Sequence, residues 1–246
     1  FCETLTKEEA SKCLMLLHTD PVDNNGTDLP ALIRALCPDY KVIFSGGKLP
    51  AKQLNYLYNV ASMTCQPSSA EGFGLSVMES IMSGTPILGT VLGGIQDQMG
   101  FTHDDGTPVT LEDFSSEWPS NSDGKYKKHG EWAFPIWPQM NLQGSPMTPY
   151  IYDSRPNVKD IAKQLKNAHS LGQEELQRRG LIGREWAIQN GFNSKGMCDK
   201  FIQSMTGCFN DFKPRERFTM VSLQTEPIKY PDGIIFNSNS IFEEKK

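Results

Sequence analysis

Two glutamates, Glu71 and Glu79, stand in the stretch SSAEGFGLSVMESIMSGTPILG (68–89) with seven residues between them. Carboxylates accept hydrogen bonds from hydroxyl groups, and two of them flanking one turn make a cradle for a polyol. The bend between them, Gly72-Phe73-Gly74, lets backbone approach a ligand closely and adopt unusual dihedrals. An apolar helical pattern begins at Gly74 or Leu75, so free N–H groups and the positive end of a helix dipole would face the bend, a setting that favours phosphate. An anion site flanked by two hydroxyl-accepting carboxylates suits a sugar nucleotide. The same residues allow a plainer reading, in which Glu71 caps the helix dipole and Glu79 is a solvated surface residue.

The elements that would position this stretch follow from the hydrophobic pattern. Short apolar runs at 13–18, 41–45, 62–67 and 85–90 read as buried strands. They alternate with amphipathic helical segments at 29–37, 51–61 and 75–84, the second with Leu54, Leu57, Tyr58 and Ala61 on one face. Such alternation implies a parallel sheet with helices on both faces, an α/β Rossmann-like fold. Ligands of these sheets bind beyond the carboxyl ends of the strands. Pro67-Ser68-Ser69 leaves the third strand there, so Ser69 and Glu71 belong to that edge. His18 and Asp20 end the first strand on the same edge and are candidates to touch a ligand, although a plain loop role is open to both.

From 103 to 150 the period fails. This stretch is rich in Pro, Gly and Ser, yet it holds Trp118, Trp132 and Trp137, three of the four tryptophans. Aromatic content argues for order. The segment reads as a flap packed on the ligand end of the sheet, or as an insertion with a small core of its own. Tyr150, Tyr152 and Arg155 flank its return and are candidates for a phosphate or acceptor. The helical period resumes over 156–212, with Gly172, Gly191 and Gly207 punctuating helix ends, and the tail from about 213 reads as extended. The expected organisation is a donor-binding domain over 1–195 with an irregular insertion at 103–150, then a C-terminal helix and tail over 196–246.

Composition narrows the classes. The 246 residues are 38% hydrophobic and carry a net charge of −5, which gives no support for a nucleic-acid surface spread over the chain. No run of eighteen apolar residues spans a membrane. The six cysteines are scattered with no metal-ligand spacing, and several sit in apolar runs. Buried free thiols in a reducing, cytoplasmic setting are the simpler expectation. The chain opens on Phe1-Cys2-Glu3-Thr4 without a signal-peptide pattern and reads as the middle of something longer. His103, His129 and His169 read as flap or helix residues rather than ligands.

The run PSSAEGFGLSVMESIMSGTPILGTVLGGIQD strongly resembles the E-x7-E signature of GT-B retaining glycosyltransferases of family four. The likeness extends upstream through KVIFSGGKLPAKQLNYLYNVASM, is convincing over about 13–100, and continues through helices in plausible order to about 190. A weaker similarity, through GGIQDQM, PYIYDSR and GREW, is to glycosyltransferases encoded by T4-like bacteriophages and other large DNA viruses. The resemblance implies that this chain is the donor-binding, C-terminal half of such an enzyme. It implies that Glu71, the residue assigned to catalysis, holds hydroxyls of the transferred sugar and that the Gly72-Phe73-Gly74 bend, with Leu75, meets sugar and diphosphate. By the same likeness Glu79 holds the ribose hydroxyls, and Gly47, Lys48 and Leu49 form the loop against which the base lies. Gly93, Gly94 and Asp97 match a Gly-Gly-x-x-acid segment, with aspartate in place of the commoner glutamate. The family needs no metal and no cofactor beyond a nucleotide-sugar donor such as a UDP- or GDP-sugar.

One departure is instructive. The family's Arg and Lys that clamp the diphosphate belong to a strand–helix unit that would precede Phe1, as would the acceptor-binding half, and Arg34 sits mid-helix in an apolar pattern. The expected partners are therefore a nucleotide sugar, an acceptor of unassigned class, and a missing N-terminal half in the same or another chain. Two alternatives stand beside this one: a phage-type enzyme glycosylating hydroxymethylated cytosine in DNA, and a sugar-binding module without turnover.

Overall fold

In the computed structural model the described residues are 1–24, 26–144 and 150–214, with two short strands at 228–229 and 235–236. They divide into two compact units, Phe1–Lys200 and Phe201–Lys246. After a 3-10 turn at Cys2–Thr4 the first unit forms helix α1 (Lys7–Lys12), started by a capping box in which the Thr6 hydroxyl accepts from the Glu9 backbone N–H while the Glu9 carboxylate accepts from the Thr6 N–H. Then follow β1 (Met15–Leu17), α2 (Leu29–Leu36), β2 (Val42–Phe44), α3 (Ala51–Val60), β3 (Thr64–Gln66), α4 (Leu75–Met82), β4 (Ile87–Thr90) and α5 (Gly93–Asp97). Every helix and strand read between 13 and 90 is present, each trimmed by one to three residues.

The strands are parallel, as the alternation requires, but they form two sheets rather than one. β1 pairs with β2, and β3, β4 and β5 (Ala133–Ile136) pair in that order. β5 corrects the reading of 103–150 as irregular: four of its residues are a core strand. Its pattern was hidden because AFPI is short and carries Pro135, which donates no ladder bond. The sheet tolerates it because β5 is the outer strand on its side, and the Pro135 carbonyl accepts from Gln164 Nε2 at 3.1 Å. An antiparallel hairpin follows, β6 (Gln139–Gln143) with β7 (Ile151–Arg155). Helix α6 (Val158–Gln189) comes next, broken at Gly172 where φ is 77° and ψ 166°, and then α7 (Ser194–Asp211).

Gly172 and Gly191, both at positive φ, do punctuate α6. Gly207 does not end a helix. It lies inside α7, where a single glycine costs only about 1 kcal/mol relative to alanine. In the second unit β8 (Ile228–Lys229) pairs antiparallel with β9 (Ile235–Phe236). The rest of the tail expected beyond 213 lies outside the described residues.

The core is built on the three-stranded sheet. Successive residues of β4 bury to opposite faces: Ile87 joins Val77, Met78 and Ile81 of α4 with Ile95, Met99, Phe101 and Trp132, while Leu88 joins Phe134, Ile136, Ala168 and Leu176. This is the two-sided burial of a central parallel strand. By contrast, no described residue between 11 and 73 is buried. Leu36 of α2 is 71% exposed and Val60 of α3 74%. The cysteines share this distribution. All six are free, but Cys2, Cys13 and Cys37 are only half-buried and Cys65, Cys198 and Cys208 are exposed. The expectation of buried thiols fails because the apolar runs that carry Cys13, Cys37 and Cys65 are themselves uncovered.

Helix α6 crosses the start of β4 at very close range. A Cβ on Gly180 would lie 1.9 Å from the carbonyl oxygen of Gly84, and one on Gly183 would lie 2.5 Å from the Trp132 ring. Gly180→Ala in an unconstrained helix would gain about 1 kcal/mol. Here the overlap with backbone decides the sign, and the expected outcome is a net loss of about 1–3 kcal/mol in urea-unfolding free energy. An unchanged or raised urea midpoint would show that α6 does not sit this close to the Gly84 turn.

Candidate functional site

The bend at 71–74 is held from three sides. Below it, Gln66 at the end of β3 donates through Nε2 to Ser68 Oγ at 2.8 Å, and its Oε1 accepts from Ser76 Oγ at 3.3 Å, tying the turn to the first turn of α4. Beside it runs the Gly93-Gly94 turn that opens α5. The Gly94 N–H donates to the Gly72 carbonyl at 2.7 Å. A Cβ on Gly94 would lie 2.7 Å from both that oxygen and the Phe73 Cα, and one on Gly93, at φ 47°, would lie 2.0 Å from the Glu71 carbonyl oxygen. Only glycines allow the two turns to meet. Behind it, the buried Gln98 side chain donates to the Phe73 carbonyl at 2.5 Å. Gln98 is itself located by the Trp132 indole, whose Nε1 donates to the Gln98 carbonyl at 3.0 Å.

These contacts turn the carbonyls of Gly72 and Phe73 into the protein. Gly74 then takes the left-handed conformation, φ 84° and ψ 60°, and serves as N-cap of α4 without any side-chain capping bond. The Val77 and Met78 N–H groups donate to the Gly74 carbonyl at 3.1 and 3.2 Å, so the Leu75 and Ser76 N–H groups and the positive dipole end of α4 are left for something outside the helix. The Glu71 carboxylate does not cap them. Its Oε1 accepts from its neighbour Gly72 N–H at 3.2 Å, one turn of chain ahead of the helix, and the residue is half-buried. Glu79 lies on an exposed position of α4, and its Oε2 accepts from the Tyr58 hydroxyl at 2.9 Å. Of the plainer reading, the capping role for Glu71 has no counterpart in the geometry, whereas the surface position of Glu79 does.

The remaining candidates separate into those at this edge and those elsewhere. His18 follows β1 and Ser45 follows β2, and the His18 Nδ1 and Ser45 Oγ lie 2.7 Å apart, so the carboxyl ends of the two outer strands are joined there. Gly46 and Gly47 come next, both at positive φ, with Lys48 exposed and Leu49 half-buried. Ser69 is half-buried in the turn after β3. Asp97 ends α5, and desolvation raises its carboxyl above the ordinary range against the opposing effect of the Gln96 side chain. Tyr152 and Arg155 sit on the β6–β7 hairpin instead. Arg155 is paired with Asp153 of its own strand at 2.7 Å and Tyr152 is exposed opposite Leu142. No hydrogen bond or ion pair among the described residues joins either to the bend.

The tryptophans of 103–150 divide in the same way. Trp132 is buried in the core, while Trp118 and Trp137 are half-buried. Trp118 packs within its own segment, against Phe114 and Tyr126 and under Lys125. The segment is fastened to α5 through buried Asn121, whose backbone N–H donates to Gln96 Oε1 at 2.9 Å. Sequence reasoning missed Gln98, Tyr58 and Phe192. Phe192, just past α6, approaches Phe73 of the bend at 6.4 Å between ring centroids and stacks on Trp186. Only the amphipathic period of α3 offered a signal, and it marked Tyr58 as a core-facing residue.

A parallel α/β/α layer with an uncapped helix N-terminus at its carboxyl edge has the fold class of the GT-B glycosyltransferases, and the comparisons agree. Residues 27–106, which include β2, α3, β3, α4, β4, α5 and both glutamates, match the family model described as glycosyl transferases group 1. The structure is similar to that of a sucrose-phosphate synthase from Thermosynechococcus elongatus, with a TM-score of 0.52 and 19% identity over 81% of this chain and 39% of that one. The chain thus spans about two fifths of the length of the synthase. No curated protein matches it.

The contact between the bend and the Gly93-Gly94 turn gives a direct test. Gly94→Ala is expected to cost about 1–3 kcal/mol in unfolding free energy and to speed hydrogen exchange of the 72–76 amides. Gly72→Ala, whose Cβ would meet nothing within 4 Å, should do neither. Equal effects of the two substitutions would mean that the turns are not docked.

Proposed function

We propose that this chain carries the donor site of a retaining glycosyltransferase of family four, which takes a sugar from a nucleotide sugar without a metal ion. The observation that carries the reading is the α4 N-terminus, opened by a left-handed glycine, capped by no side chain, and flanked by Glu71 and Glu79. In this reading the diphosphate lies against the Leu75 and Ser76 N–H groups that open α4, where the dipole end favours its charge. Glu71 accepts bonds from hydroxyls of the transferred sugar, and so orients it while positive charge develops at its anomeric carbon. Glu79 accepts from the ribose hydroxyls, and the base rests on Gly47, Lys48 and Leu49. The match of 27–106 to a family of sugar transferases supports the activity. The protein of similar fold is likewise named for making sucrose phosphate.

A second body of polypeptide, in the same or another chain, completes the enzyme in this reading. It supplies the cations that neutralise the diphosphate and the acceptor site. The uncovered apolar residues between 11 and 73 support it: Leu14, Met15, Leu32, Leu36, Ile43 and Val60 are each more than 40% exposed, an arrangement expected of a surface made to be covered.

Titration calorimetry on Glu71→Gln and Glu79→Gln tests the assignment. A charge-assisted bond to a hydroxyl is worth about 1.5–3 kcal/mol, so Glu79→Gln should weaken uridine or guanosine diphosphate and the corresponding sugar nucleotide alike, by about tenfold or more. Glu71→Gln should leave the free diphosphate unchanged, because that ligand has no sugar to hold, and weaken only the sugar nucleotide. Equal losses of diphosphate affinity in both variants would refute the division of roles, and no loss in either would refute the donor site.

A further inference from the structure

Helix α3 is fastened to α4 by bonds that do not involve the Tyr58 ring. Thr85 Oγ1 donates to the Tyr58 carbonyl at 2.7 Å, and Ser83 Oγ lies 3.0 Å from Asn55 Oδ1 and 2.8 Å from the Glu79 carbonyl, with one proton to share between them. These fix the Tyr58 backbone at the last turn of α3. From that anchored position the half-buried side chain crosses to α4 and places its hydroxyl 2.9 Å from Glu79 Oε2. Among the described residues Glu79 has no ion-pair partner, and the Tyr58 hydroxyl is the one donor to its carboxylate. Burial, and then the neighbouring carboxylate, hold the phenol well above its ordinary pKa, so it stays a donor throughout the neutral range.

We propose that Tyr58 is a positioning residue for Glu79: it immobilises one carboxylate oxygen so that the other is presented to the ribose. The inference rests on the reading of Glu79 as the ribose acceptor and adds the device that makes an exposed, flexible glutamate serve there. A glutamate in water has three freely rotating side-chain bonds, and a ligand that grips it must freeze them. The Tyr58 hydroxyl has already done so in the unbound protein. It takes a single lone pair, leaving Oε1 whole and one lone pair on Oε2, enough to accept both ribose hydroxyls. The Thr85 bond already ties the Tyr58 backbone down, so the hydroxyl has another partner to serve.

Tyr58→Phe removes the hydroxyl and keeps the ring. In calorimetry with uridine diphosphate and guanosine diphosphate it should weaken binding about fivefold, which is about 1 kcal/mol at 1.4 kcal/mol per tenfold. In the double variant Tyr58→Phe/Glu79→Ala the affinity should equal that of Glu79→Ala alone, since no acceptor remains to position. The preference for uridine diphosphate over its 2′-deoxy form, a readout that helix stapling would not move, should shrink in Tyr58→Phe. Wild-type affinity and preference in Tyr58→Phe, beside a loss in Glu79→Gln, would overturn the proposal and leave the donor site standing, as would a lowered melting temperature with unchanged affinity. Additive losses in the double variant would also overturn it, because Tyr58 would then act through another group. No diphosphate binding by the wild type, or no loss in Glu79→Gln, would overturn the donor reading and this proposal together.

Discussion

The structure turns on one contact, the docking of the Gly72-Phe73 backbone against the Gly93-Gly94 turn. It brings two loops that leave neighbouring strands, β3 and β4, to within a single 2.7 Å hydrogen bond, at a separation that no Cβ permits. The carbonyls of the bend are consumed by Gly94 N–H and Gln98 Nε2, and the Gly74 carbonyl takes the Val77 and Met78 N–H groups, which leaves those of Leu75 and Ser76 for a partner outside the helix. An uncapped helix end in water is ordinarily a small liability. Here it is enforced by packing: the glycine cap supplies no oxygen, and the carboxylate next to it is engaged with the Gly72 N–H.

The supports of this contact reach well beyond the two loops. Gln98 is placed by Trp132, Trp132 packs on Trp186 at 4.8 Å between centroids, and Trp186 stacks on Phe192, which approaches Phe73. A chain of contacts thus runs behind the bend, from Phe73 through Gln98, Trp132, Trp186 and Phe192 and back to Phe73. Gly183 lets α6 approach Trp132, and Gly180 lets it approach the turn that starts β4. A rigid site is assembled from small residues where backbones meet and large ones where the gaps must be filled, so the precision of the bend comes from the sheet, α5 and α6 together.

How much of this was legible in the sequence depended on how local its cause was. The helices and strands from 13 to 90 were readable because each is set by its own period, and Glu71, the glycine bend and Glu79 were readable because they are contiguous. β5 was not. A four-residue strand with a proline has no period to detect, and only its pairing with β4 defines it. Gln98, Tyr58 and Phe192 were not legible either, since each acts on a residue at least 21 positions away, and nothing in the neighbouring letters marks such a contact. The thiols went astray for the complementary reason. Apolar runs predict burial only if something covers them.

That last point separates two kinds of packing within one unit. Between 77 and 136 and along α6 one face of each element is fully packed: Val77, Ile81, Ile87, Leu88, Ile95, Met99 and Ala187 are each 0% exposed. From 11 to 73 the helices and strands form with the same fidelity to their patterns, yet bury nothing fully. A strand pair with its amphipathic helices gains little until its faces are covered. α3 stands at the border between the two regions: its Tyr58 and Asn55 face α4 and are bonded there, while Val60 and Tyr56 face outward at 74% and 54% exposure. Whatever covers the outer region must press on α3, and α3 carries the hydroxyl that holds Glu79. The uncovered face and the hydroxyl that holds the carboxylate thus share one helix only ten residues long. A shift of α3 as its outer face is covered would be felt directly at Glu79 Oε2, whereas Glu71, fixed by the glycine turns and α5, would not sense it. The two glutamates differ in this respect before any ligand is considered: one is set by the core, the other by a helix that the core only half retains.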